Sequence, residues 1–277
     1  MKNYLILTLL AAVLTFFLPF SIQAAGAVTY DLKDQASCST VLGTWSLATS
    51  TCTVSSLTLN PGDLLAIDDS VFPNISLQIT QSINNAGTVS NAGNIIISSS
   101  AVFDNNGSLA NYCTGTCVGG TIQNNGIITN EKKSTLDTNS TINNSGPINN
   151  YGTIIVLKGG TIANGAKIIN NFGGTLNNSG TIHDSQLSAI INNGGIIINY
   201  ATLIGDESST ITNSGTLTNM CGAMFTNNGD LLGTPVNSTT CATAKGTSTV
   251  PEFPMATPVL VIGLLSVIVF YKRKAKT

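Results

Sequence analysis

Charge is scarce in this chain. Lys, Arg, Asp and Glu together make up 9% of its 277 residues, and there is one His and one Trp. The single Arg is Arg273, and four of the 11 basic residues (Lys272, Arg273, Lys274 and Lys276) crowd into the last six positions. The remainder is mildly acidic, which argues against nucleic acid as a partner. So few charges also exclude a chain held open by self-repulsion, and a hydrophobic content of 42% supplies a core. A helical period is missing as well: between Ile83 and Leu231 apolar residues do not recur at three and four. With charge this low, the polar surface falls to Asn, Ser and Thr.

What is present is a repeat. Residues 169–225 contain INNFGGTLNNSGTIHD, IINNGGIIINYATLIGD and ITNSGTLTNMCGAMF. Aligned, they place Asn171, Asn192 and Asn213 in one column, with Gly173, Gly194 and Gly215 two places on, at a spacing of 21. A second column holds Gly180, Ala201 and Gly222, each followed two places later by Ile182, Leu203 and Met224. The comb reaches back through Gly152, and an offset comb runs through Gly87, Gly107, Gly126 and Gly146. A fixed period near 20, built from short apolar runs and Asn/Gly corners, predicts an all-β fold, a parallel β-helix (β-solenoid) of about 20 residues per coil. Corners need left-handed backbone angles, which Gly adopts freely and Asn better than most, so Gly152, Gly173, Gly194 and Gly215 are expected at corners. Ile and Leu then stack inside, and Asn amides bond from coil to coil as a ladder. Paired corners six apart, at Asn84 to Gly87 and Asn91 to Gly93, predict two corners per coil around a four-residue strand. The third side is expected to carry the variation (NIIISSSAVF, ANYCTGTCVGG, TNEKKSTLDTNS), where solenoids keep binding loops. Glu131-Lys132-Lys133, the one charge cluster there, reads as a solvated loop tip.

The flanks predict an exported, anchored protein. Lys2, the apolar run 4–20 and Ala25-Gly26-Ala27 form a signal peptide over 1–27, the alternative being an uncleaved anchor. Residues 28–82 are expected to form an N-terminal cap and the first coils, with a turn at Pro61-Gly62, and residues 83–232 the solenoid. In an exported protein six cysteines read as disulfides, and proximity suggests Cys38 with Cys52, Cys113 with Cys117, and Cys221 with Cys241. The first pair staples the cap, with Trp45 over the open end of the core. A metal reading is weaker: CTGTC has three residues between its cysteines rather than two, and His183 is remote. A calcium site at Asp68, Asp69 and Asp104 lacks a periodic acidic motif, so solvated carboxylates are expected. Six N-x-S/T acceptors occur; Asn74 and Asn237 lie outside the comb and lead as glycosylation candidates, followed by Asn106 and Asn139, while Asn143 and Asn177 are expected inside the ladder. Residues 233–254 read as a Ser/Thr-rich stalk, 255–271 as a transmembrane helix, and 272–277 as a cytoplasmic basic tail that leaves the solenoid on the extracellular face of the cell membrane.

Val250-Pro251-Glu252-Phe253-Pro254, then an apolar segment, then Lys and Arg, resembles the Pro-Glu-Phe type C-terminal sorting signals of archaeal surface proteins. The resemblance rests on Pro251, Glu252 and Phe253 within the last 28 residues, and Pro254 stands where one common form has Gly. It implies an archaeosortase-like enzyme as a partner that cuts the tail and attaches the protein to the envelope. The body resembles parallel β-helix adhesins and envelope proteins with Asn-Gly-Thr-Ile repeats, at the level of fold.

Two functions are therefore expected to compete. One is a membrane-anchored structural or adhesive surface protein whose partners are envelope glycans or neighbouring surface proteins, with no catalytic residues, metal or cofactor. The other is a β-helix lyase or hydrolase acting on surface polysaccharide, which needs carboxylates gathered on one face. Convergence of Asp104, Asp137 and Asp184 would favour the enzyme.

Overall fold

The protein is described by a computed structural model over residues 26–67, 75–112 and 120–241. The chain divides into two compact units, Met1–Thr240 and Cys241–Thr277, and of the second only Cys241 is described. Residues 1–25 of the expected signal peptide, the sorting motif, the transmembrane helix and the basic tail lie outside the described residues, as do Asp68, Asp69, Asn74, Cys113 and Cys117. Among the described residues no helix is long and apolar enough to cross a membrane.

The first unit is a parallel β-solenoid of about eight turns with about 21 residues per coil. Its strands are mostly four residues long and mostly follow one pattern, as in Thr141–Asn144 (TINN), Thr161–Asn164 (TIAN) and Thr175–Asn178 (TLNN). Strand alternation turns the second and fourth residues inward, so most strands bury one aliphatic and one amide. Three strands complete a coil, and each stacks in register on its counterpart in the next. The three resulting core columns run Ile122-Ile142-Ile162-Ile182, Ile128-Ile148-Ile168-Ile190 and Leu136-Ile154-Leu176-Ile197, all buried. Each such side chain contributes about 2–3 kcal/mol by leaving water, and β-branched Ile suits the pleat.

The N-terminal end is closed. Strand β1 (Thr29–Leu32) pairs in parallel with β4 (Leu64–Ile67), and between them come helix α1 (Gln35–Thr40), β2 (Thr44–Ser46) and β3 (Thr51–Leu59). Asp34 caps α1 through a reciprocal box with Ser37, its carboxylate accepting from Ser37 N at 2.8 Å. The Cys38–Cys52 disulfide joins α1 to β3, while β2 pairs antiparallel with β3 and sets Trp45 opposite Cys52, half-buried against the core. Cys221 and Cys241 are likewise disulfide-bonded. The last coil reaches strand Asn237–Ser238, inside the stretch read as a stalk.

The register departs from the sequence comb in instructive ways. Asn192 and Asn213 do stack, but the residue below them is Asn170, not Asn171. The corner 171–174 has four residues where 193–195 has three, so that step is 22 rather than 21. Likewise Phe225, not Met224, continues the Ile182-Leu203 column, and Met224 lies outside. The offset glycine comb is two combs. A Cβ on Gly107 would meet Gly87 O, and one on Gly146 would meet Gly126 O, but Gly107 and Gly126 close different corners. Nor is the variation confined to one side: the four-residue turns 98–101 and 131–134 lie at two different corners of the coil, and the long insertion between strands Ser108–Asn111 and Thr121–Asn124 falls at the third. Each coil has three corners, not two, and each tolerates a short or a longer turn because strand stacking alone fixes the register.

Candidate interaction surface

The inward fourth residues form ladders. In one, Asn85, Asn105, Asn130, Asn150, Asn170, Asn192 and Asn213 pass Nδ2–H to the next Oδ1 at 2.7–2.9 Å over six steps. Each Nδ2 also donates to a backbone carbonyl of the next coil, as Asn130 does to Thr153 O at 3.0 Å. The amide oxygens serve the turns too: Gly180 N donates to Asn178 Oδ1 at 3.1 Å. The ladders thereby pair side-chain amides and corner backbone groups from coil to coil.

On the outside, the first strand residue repeats as threonine. Thr121, Thr141, Thr161, Thr181 and Thr202 are stacked partners on one face, beside Gln123, Asn143, Ala163, His183 and Ile204. A second face carries Ser108, Thr135, Thr153, Thr175, Ile196 and Thr216. These hydroxyls recur at the coil spacing of about 4.8 Å. The remaining face is more apolar, with Ile127, Ile169 and Ile191 outward. Tyr151 and Phe172 project from one corner on consecutive coils, and Phe172, 81% exposed, lies against Gly194. A groove of about 330 Å³ opens beside the cap, lined by Tyr30, Val41, Leu42 and Leu57 among others.

The acids do not meet. Asp104 and Asp137 point outward on two different faces, and Asp184 is buried inside a ladder. His183 Nε2 lies 2.9 Å from Asp206 Oδ1 on the outer surface. Burial raises the pKa of both Asp137 and Asp184. Among the described residues no three His, Cys, Asp or Glu side chains gather as a metal-binding group.

The glycosylation candidates are also re-sorted. Asn106 and Asn237 are exposed, and Asn139 is half-exposed at a turn. Asn143 and Asn177, expected inside a ladder, point outward, and the rungs are Asn144 and Asn178. Sequence reasoning missed these by one position. The signal lay in the strand pattern, Thr-aliphatic-x-Asn, whose fourth residue must face inward when its second does.

Of the four expected corner glycines, Gly173 and Gly194 have left-handed backbones (φ 85° and 74°). Gly152 and Gly215 do not, and are glycine for lack of space: a Cβ would stand 2.3 Å from Glu131 O and 2.2 Å from Gly195 O respectively.

No protein-family model, curated protein or solved structure matches the chain.

Proposed function

We propose that this is a cell-surface structural or adhesive protein, exported by residues 1–27, anchored in the membrane by 255–271, and presenting its solenoid outside the cell. The observation that carries the reading is the pairing of an interior laddered by asparagine amides with outer faces of regularly spaced hydroxyls and amides and few charges. Such faces suit repeated, uncharged polar partners: envelope glycans or neighbouring copies of surface proteins. The separation of Asp104, Asp137 and Asp184 supports this over polysaccharide cleavage, which needs its carboxylates together. On the same reading an archaeosortase-like enzyme acts at Pro251-Glu252-Phe253.

The test is topological. Protease added to intact cells should digest the solenoid and spare a tag placed after Thr277, and deleting residues from Met255 onward should release a folded solenoid into the medium. A solenoid protected in intact cells and cut only after lysis would overturn the proposal. Loss of the tag from the cell-bound protein would assign processing at the Pro-Glu-Phe motif.

A further inference from the structure

One ladder ends on a carboxylate. Asn124, Asn144 and Asn164 pass Nδ2–H upward at 2.7, 2.7 and 2.6 Å, and the last of these bonds ends on Asp184 Oδ1. The next rung in register is Gly205, which has no side chain, and the one above it is Asn227. A Cβ at Gly205 would stand 2.4 Å from Asn227 Oδ1 and 2.9 Å from Ser209 Oγ, so these two oxygens flank the missing rung. Both are buried and neither has a hydrogen-bond partner. The same holds for Asp184 Oδ2, in a residue with no solvent exposure.

The chemistry of Asp184 sharpens the point. In every amide rung below, the upward atom is an Nδ2 donor, and Asn164 also donates to Ala189 O at 3.3 Å. Asp184 has oxygen in that place, and the carbonyl in register with Ala189 one coil up is that of Thr210. Asp184 Oδ1 is already occupied by Asn164 and by Ser188 Oγ at 2.5 Å. Ser188 shows what Ser209 lacks: at the equivalent place in its turn it donates to a rung oxygen, whereas Ser209 has only the gap at Gly205. The charged groups acting on Asp184 are His183, turned outward onto Asp206, and Asp206 itself. A carboxylate buried without a cationic partner is costly.

We infer that the rung vacated by Gly205 is a site for a single hard cation, held by Asp184 Oδ2, Ser209 Oγ and Asn227 Oδ1. A carboxylate, a hydroxyl and an amide carbonyl are the donor set of sodium or calcium, not of zinc or copper, which favour nitrogen and sulfur. One proton on Asp184 gives at most one of these unpaired oxygens a partner, whereas a cation can be shared among them. It also restores continuity between Asn164 below and Asn227 above.

The test uses the full-length protein stripped with chelator, then returned to sodium, potassium, magnesium, calcium or N-methylglucamine at matched ionic strength. Thermal unfolding is followed by circular dichroism and bound metal by elemental mass spectrometry. Sodium or calcium should raise Tm by about 5 °C at a concentration on the order of 100 Kd, with one ion per chain. D184N, which reproduces the rungs below and so keeps the fold, should abolish both the shift and the bound ion. G205A should do the same by blocking the site without altering its charge. The inference fails if no ion shifts Tm, or if D184N responds like the native chain. It fails equally if stability falls as pH rises from 4 to 8 with no ion bound and D184N removes that fall, since the gap is then bridged by a proton.

Discussion

At Gly173 the backbone is left-handed and a Cβ would meet nothing within 4 Å, while at Gly215 the backbone is unstrained but a Cβ would strike Gly195 O. The two should therefore respond differently to alanine. Gly173→Ala places an L-residue at positive φ and should cost about 1 kcal/mol. Gly215→Ala forces a strand-to-strand shift and should cost more, about 2–3 kcal/mol, with loss of cooperativity in thermal unfolding. Equal effects would mean that the corners are misassigned. Leu187 offers the converse. It occupies the third position of a four-residue turn at φ 64°, as Gly159, Gly173 and Gly222 do at theirs, and is 88% exposed. Leu187→Gly should relieve that strain and stabilise the protein by about 1 kcal/mol, read as a rise in Tm.

Between neighbouring strand positions the contrast is sharper still. Asn178 is buried, donates to Asn199 Oδ1 at 2.8 Å and Thr202 O at 2.7 Å, and accepts from Gly180 N. Asn177 points outward. Asn178→Ala leaves several buried groups unpaired and should cost about 3 kcal/mol, against about 0.5 or less for Asn177→Ala, by chemical denaturation. This one-residue difference marks what the sequence could and could not reveal. The solenoid class, the period and the existence of ladders were legible because Ile, Gly and Asn recur. The rung identities were not, because turns of two, three and four residues slide the comb while the strands hold register. Gly205 and Asp184 were invisible for the same reason: only correct stacking shows that one is a missing rung and the other its acidic neighbour.

The cap carries its own pH dependence. Asp63 accepts from Val28 N and Asn60 N at 2.8 Å each, and Asp34 from Ser37 N; these bonds hold both carboxyls below their ordinary pKa. A depressed folded pKa gives stability that is present above the unfolded value and lost as pH falls, so the cap should loosen below about pH 4. Amide exchange at Val28, Asn60 and Ser37 should rise there first. Asp63→Asn should blunt the change at Val28 and Asn60.

Across the whole solenoid, nearly all backbone hydrogen bonds between coils run along the axis of the stack, and each coil touches only its neighbours. A load applied along that axis meets the bonds of one coil at a time, as a zipper does, rather than all strands together in shear. Held at the two ends of the solenoid and pulled, the molecule should lengthen in steps of about 70 Å, one coil of about 21 residues each. The Cys38–Cys52 bond withholds the intervening residues from that extension until it is reduced. A solenoid built this way dissipates a sudden pull by giving up length coil by coil while its remaining coils stay folded.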